Sequence, residues 1–296
     1  MPTAIQRKST RSRAASIFRR ATPSRKLAIA GMTVLTDKFR ERTMLHRQQQ
    51  RKAGARLNGE LIELFQVIAR RDDVERVIRE FGARHRRRPP KDRLLPLPDV
   101  ASDEAPSTSP LGARVTPPFD FAWTMPGTKA GQGANAKTGG LGFTIDSFGA
   151  DDYDEIACCS VAIQLAPPVA GRLAVWSNPS YHGYWSNHAF FAASHTEAAI
   201  GFWIGRCNQD GTVFEAELVS QYLKLWDDSC HVGDSGEHFE NVPGYSLTAS
   251  CSVDPEHQYI VAVAIFGAAS ADQIAGGASA LSWLTAIVPS ISWEIT

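Results

Sequence analysis

A mainly β protein is what this sequence of 296 residues predicts: an antiparallel two-sheet β-sandwich, jelly-roll-like in size, preceded by a basic disordered arm and a short α-helical segment. Three observations carry that expectation. After Phe119, short apolar alternations are broken by Gly, Pro, Asn or Asp about every ten to fifteen residues, the texture of many strands joined by turns. Before residue 100 the chain holds 25 Lys and Arg against 10 Asp and Glu, a balance of +15, while the remainder holds 6 against 21, a balance of −15. Between these halves lie eight prolines from 89 to 118, which read as a semi-rigid linker.

Residues 1–26 form the arm. They carry eight cations, Arg7, Lys8, Arg11, Arg13, Arg19, Arg20, Arg25 and Lys26, and little apolar content beyond Ile5, Ile17 and Phe18, so burial cannot offset the entropy of ordering them. Residues 27–57 favour helix, with cations on every face. A helix polar all round needs a partner or an anion to persist. In residues 58–88, Leu61, Leu64, Phe65, Ile68, Val74, Val77, Ile78 and Phe81 recur at three- and four-residue spacing, the pattern of an amphipathic helix. Asp72 with Glu75 reads as a capping box that hinges the segment near Arg71. Arg86, Arg87 and Arg88 follow as a second basic cluster.

The sandwich is expected over 119–296. Leu141, Phe143 and Ile145 share one strand face, as do Cys159, Val161, Ile163 and Leu165. "GRLAVWS", "AAIGFWIG", "TVFEAELVSQYLKLW", "QYIVAVAIFG", "ASALSWLTAIV" and "ISWEIT" supply further strands, and "CNQDGTV" a hairpin turn. With 43% hydrophobic residues the chain has ample material for a core, which excludes disorder throughout. The apolar run at 27–35 is too short to span a bilayer. Five cysteines, Cys158, Cys159, Cys207, Cys230 and Cys251, form no C-x-x-C pair; reduced thiols are the expectation.

Three stretches bear chemistry. "GQGANAKTGG" at 131–140 approaches a phosphate-binding loop, but Ala136 replaces the glycine before Lys137 and a strand follows where a helix is required; it reads as a loop between linker and sandwich. The stretch from 176 to 195 gathers Trp176, Tyr181, His182, Tyr184, Trp185 and His188 with amides, in what reads as a Gly- and Pro-containing loop. Such residues plug a core, line a protein interface or stack on sugar rings. The stretch from 227 to 238 places Asp227, Asp228, His231, Asp234 and His238 in one acidic turn. Carboxylates and imidazoles ligate cations, yet the spacing fits no metal motif, and no metal or other cofactor is called for. No catalytic residue stands out.

An acid-rich body joined to a cationic tether points to a polyanionic partner. The plan resembles that of the coat proteins of small icosahedral RNA viruses, a likeness carried by the arm and the strand-rich body rather than by a motif. It implies RNA, ahead of DNA, as partner, self-association of the body, and a cytoplasmic or virion-like location. Two alternatives stand beside it: a carbohydrate-binding or adhesion module that uses the aromatics at 176–188, and a protein that meets anionic membrane through its leader. An Arg- and Ser-rich, acid-free start also leaves export or organelle import open.

Overall fold

The computed structural model describes residues 111–148, 153–208, 213–230 and 235–296, together with Thr33, Asp37, Arg40, Glu41, Leu45, Gln48, Val67, Asp72, Asp73, Arg76, Val77 and Glu80, all twelve of which are helical and exposed. Asp72, expected to cap a helix, is itself helical.

Among the described residues twelve strands make up the body: β1 (Gly112–Val115), β2 (Phe121–Thr124), β3 (Gly131–Asn135), β4 (Gly140–Phe148), β5 (Tyr153–Leu165), β6 (Gly171–Ser177), β7 (Ser180–Asn208), β8 (Val213–Cys230), β9 (Ser235–Val242), β10 (Leu247–Val253), β11 (His257–Ile287) and β12 (Ile291–Ile295). Strand β1 lies within the stretch assigned to the linker and pairs with β12, so among the described residues sheet pairing is already present at Gly112.

Two strands are far longer than the rest. β7 has 29 residues and β11 has 31, and they pair antiparallel along almost their whole length. The outer edge of β11 is lined by β5 along its first half and β4 along its second. The outer edge of β7 is lined by β9 along its first half and β8 along its second. Four chain passes therefore run side by side, and none of them stays straight. Phe143 is register partner of Leu284, and 17 residues of extended β11 would separate Leu284 from Gly267 by about 58 Å at 3.4 Å per residue. Yet a Cβ added to Gly267 would lie 2.3 Å from the Phe143 ring. Trp185 and Trp226 tell the same story: their strands register at Ser282 and Ala198, but their rings stack 4.5 Å apart. All four passes turn a corner and fold back on themselves.

The result is two layers, ordered β4-β11-β7-β9 and β5-β11-β7-β8, in which every pass crosses from one layer to the other. This is the jelly-roll form of an antiparallel sandwich. The corners fall between β4 and β5, between β8 and β9, near Ala193 of β7, and at the register shift between Gln273 and Gly277 of β11. β3 extends the first layer and β2 the second. A separate sheet, ordered β1-β12-β6-β10, is made from the connections at the opposite end.

Alternation decides what fills the space between layers. Phe143 and Ile145 of β4, Val161 and Ile163 of β5, Ile200 and Ile204 of β7, and Val261 and Val263 of β11 meet there with Leu173, Leu247 and Trp293 of the small sheet. The intervening residues of β11, Ile260, Ala262, Ala264, Phe266 and Ala268, are also buried, in a second cluster on the outward face. A strand buried on both faces needs an apolar residue at every position, and "YIVAVAIF" supplies it.

The 131–140 stretch is a hairpin rather than a loop: β3 leads through a turn into β4. Gly139 closes that turn with φ +74, and a Cβ there would meet the Val288 carbonyl oxygen at 2.2 Å. The stretches at 176–195 and 227–238 are not loops either. The first runs through the end of β6 into β7; the second is the end of β8 and the start of β9, with only 231–234 outside the described residues. Tyr and Trp at alternate positions are strand formers, and here that preference outweighed the turn residues around them.

Candidate functional site

Along β7 the sequence-selected side chains divide by alternation. Tyr181 enters the core, with its ring edge-on to Tyr245 at 5.8 Å. Burial, reinforced by the Glu240 carboxylate, pushes its hydroxyl pKa well above the ordinary range. Trp185 takes the same side. His182, Tyr184 and His188 lie on the outward face and are buried, with His182 stacked 6.4 Å from Phe239. Trp176 stands apart in β6, paired with Thr248 and Ser292.

Folding brings the aromatic and acidic stretches together at the corner. The Trp185 ring stacks on Trp226, at 4.5 Å and 8°, and on His238, at 5.2 Å and 20°. Trp226 fits because β7 carries no side chain at Gly183, where a Cβ would lie 2.7 Å from the indole. Beside this stack, Asn187 Nδ2 reaches Thr196 Oγ1 at 3.0 Å, the Asp228 carbonyl at 3.2 Å and Asp228 Oδ2 at 3.1 Å. His238 Nε2 is 3.6 Å from the same carboxylate oxygen. The Cys230 thiol donates to the Asn187 carbonyl at 3.3 Å. One amide thus ties both sides of the β7 corner to the end of β8.

On the outward face of the second layer lies a neighbouring polar group. His195 Nδ1 is 2.9 Å from Ser229 Oγ and 3.7 Å from Asp227 Oδ1, and Lys224 pairs with Asp227. Ser, His and Asp in contact invite comparison with a nucleophilic triad. The geometry differs, because both hydroxyl and carboxylate address the same imidazole nitrogen, whereas a proton relay needs them on opposite ones. This contact fixes the end of β8 against β7.

Asp227 is engaged by Lys224 and His195, and Asp228 by Asn187 and His238. Among the described residues no group of three or more His, Cys, Asp or Glu is arranged to hold a metal ion. His231 and Asp234 lie outside the described residues, as do Arg7, Lys8, Arg11, Arg13, Arg19, Arg20, Arg25, Lys26, Arg86, Arg87 and Arg88. His195 and Ser229 lie within the stretches 176–195 and 227–238, but no local pattern singles either of them out there, and Thr196 falls just outside. Their meeting depends on register across a bulged β7–β8 ladder, which no local pattern reveals.

No protein-family model matches this chain, and no curated protein does. Among solved structures, the chain is similar to that of infectious bursal disease virus, Gx strain, with 13% identity over 59% of this chain and 42% of that one, at a TM-score of 0.16. It is similar also to the infectious bursal disease virus VP2 subviral particle, with 14% identity over 52% of this chain and 42% of that one, at a TM-score of 0.14. The matched part spans less than half of either viral chain. Superposition at this level carries no argument, and the architecture stands on its own strand pairing.

Proposed function

We propose that this chain is a non-enzymatic, shell-forming structural protein: its cationic N-terminal region binds nucleic acid, RNA in the first place, and its jelly-roll body associates with copies of itself. The separation of charge carries the reading. A balance of +15 before residue 100 and −15 after it sits on a chain whose acidic part is a closed, strand-built module. Eight cations in residues 7–26, joined to that module by a proline-rich connection, gain little from scattered surface acids in water. A polyanion of regular charge spacing rewards them far more, because each phosphate contact releases condensed counterions.

The carbohydrate alternative meets an obstacle in the side chains themselves. Trp185 already stacks on Trp226 and His238, and Tyr181 belongs to the core, so neither offers a bare ring to a sugar.

If all eight arm cations meet phosphates, the logarithm of affinity falls against log salt with a slope of about −6 to −7. Deleting residues 1–26 removes most of that slope. Filter binding of a single-stranded RNA across a salt series, with sedimentation and the 260/280 nm absorbance ratio of untreated material, makes the check. A truncated chain that retains RNA as well as the full chain at every salt concentration overturns the proposal.

A further inference from the structure

Of the aromatics that the sequence singles out, Trp176 is the one the fold leaves on the small sheet. In β6, Leu173, Val175 and Ser177 are buried, so Arg172, Ala174 and Trp176 share the sheet's outward face; Arg172 is exposed and the other two are half-buried. Register places Thr248 of β10 and Ser292 of β12 on either side of Trp176. The next row along the face has Ser250 and Glu294 flanking Ala174. Directly across the strands, then, the indole has only short hydroxyl side chains as neighbours.

Two arginines frame it. Arg114 of β1 is the register partner of Ser292, two strand spacings or about 10 Å from Trp176 in the same row. Arg172 lies four residues before Trp176 in β6, ~14 Å away at 3.4 Å per residue. It donates through Nε and Nη2 to Ser250 Oγ, at 3.3 and 2.9 Å, which holds the guanidinium along the sheet. After residue 100 the chain has 6 Lys and Arg against 21 Asp and Glu, and its arginines there are Arg114, Arg172 and Arg206. Two of those three on one face of a small sheet reverse the charge of the body locally.

We infer that this face binds single-stranded RNA, with an unpaired base stacked on Trp176 and neighbouring phosphates on Arg114 and Arg172. An aromatic ring accepts the face of any base, and flanking cations track the backbone; guanidinium groups match phosphate oxygens in shape as well as charge. Glu294, on the same face, is an acceptor for an exocyclic amino group such as cytosine N4. A neutral sugar would use the indole but not the paired arginines. Connectivity argues the same way: the chain leads from its basic region into β1, a strand of this sheet, so an RNA held by the arm stays tethered near the face. The inference rests on the proposed RNA binding by the arm and gives the body a second contact with the same strand.

Titration of the full chain with a short single-stranded RNA, and with an abasic oligomer of equal length, across a salt series makes the test. Trp176→Ala weakens the RNA complex about 5- to 150-fold, the range for one base on one ring, and leaves the salt slope and the abasic complex unchanged. Trp176→Phe recovers most of the loss. Arg114→Gln/Arg172→Gln makes the slope shallower by about 1.4, at 0.7 for each phosphate contact on a single strand. Photocrosslinking of the unaltered chain to bromouridine-substituted RNA, mapped by mass spectrometry, needs no variant and yields adducts in β6. RNA affinity indifferent to Trp176→Ala while the arm's slope persists, or adducts confined to residues before 100, overturns this inference and leaves the arm's role standing. Failure of the unaltered chain to bind RNA overturns both. Trp176→Ala that abolishes binding of an uncharged oligosaccharide but keeps RNA affinity gives the face to sugar and overturns it as well.

Discussion

Gly267 and Phe143 show how single residues bring the two layers together. The Phe143 ring occupies the space that a side chain at 267 would fill, with the Cβ position 2.3 Å from two ring carbons. Close by, the Cys159 thiol donates to the Gly142 carbonyl at 3.1 Å. Gly267→Ala forces the ring from its rotamer or the layers apart, at about 1–3 kcal/mol. Shortening the partner in Gly267→Ala/Phe143→Leu relieves the overlap, so the double variant loses less than the sum of the two single losses. Urea midpoints at constant slope measure both; strict additivity would show that the two positions do not touch. Nothing in "AIFGAAS" marks Gly267 as a packing site, because its partner is more than a hundred positions away in the chain.

At the scale of the element, β7 repays the closest attention. Asn178, Pro179 and Gly183 make the start of this stretch look like a loop; the first two lie before the strand begins, and Gly183 makes room for Trp226. Alternation then sorts Tyr181 and Trp185 inward and His182, Tyr184 and His188 outward. The corner stack of Trp226, Trp185 and His238 is accordingly a structural joint between layers. Trp185→Ala lowers stability by roughly 2–4 kcal/mol through lost burial and stacking. His238→Ala, at a position whose side chain is 52% exposed, costs under about 1 kcal/mol on the same grounds. Chemical denaturation checks the pair. A Trp185→Ala variant of undiminished stability would return the indole to the list of ligand-binding candidates.

For the whole molecule, burial of acidic hydrogens between layers ties stability to alkaline pH. Desolvation raises the Cys159 and Cys251 thiols from an ordinary 9.0 to about 11, and it raises Tyr181 as well. A group that holds its proton more tightly when folded contributes fully below the unfolded value, and that contribution is lost as pH rises through the folded one. The thiols' contribution should therefore be level up to about pH 9 and fall between 9 and about 11. The Cys159 share is on the order of 2–3 kcal/mol, and Cys159→Ala flattens the descent. Denaturation midpoints at a series of pH values read this directly; a flat profile across the window refutes it.

The sequence by itself determined the class of fold and the division of charge. Alternation of apolar residues is a local property fixed by the strand's period of two, and net charge needs no geometry at all. Most strands were legible for that reason, and so was the basic region set apart from an acidic body. Only the tertiary structure decided that β4 and β5, or β8 and β9, are two halves of one folded pass. It alone placed Asn187 against Asp228 and Thr196, and set His195 on Ser229. Corners and cross-layer contacts depend on where distant segments come to lie, and the energy that selects them comes from closing one shared core, which no window of neighbouring residues contains.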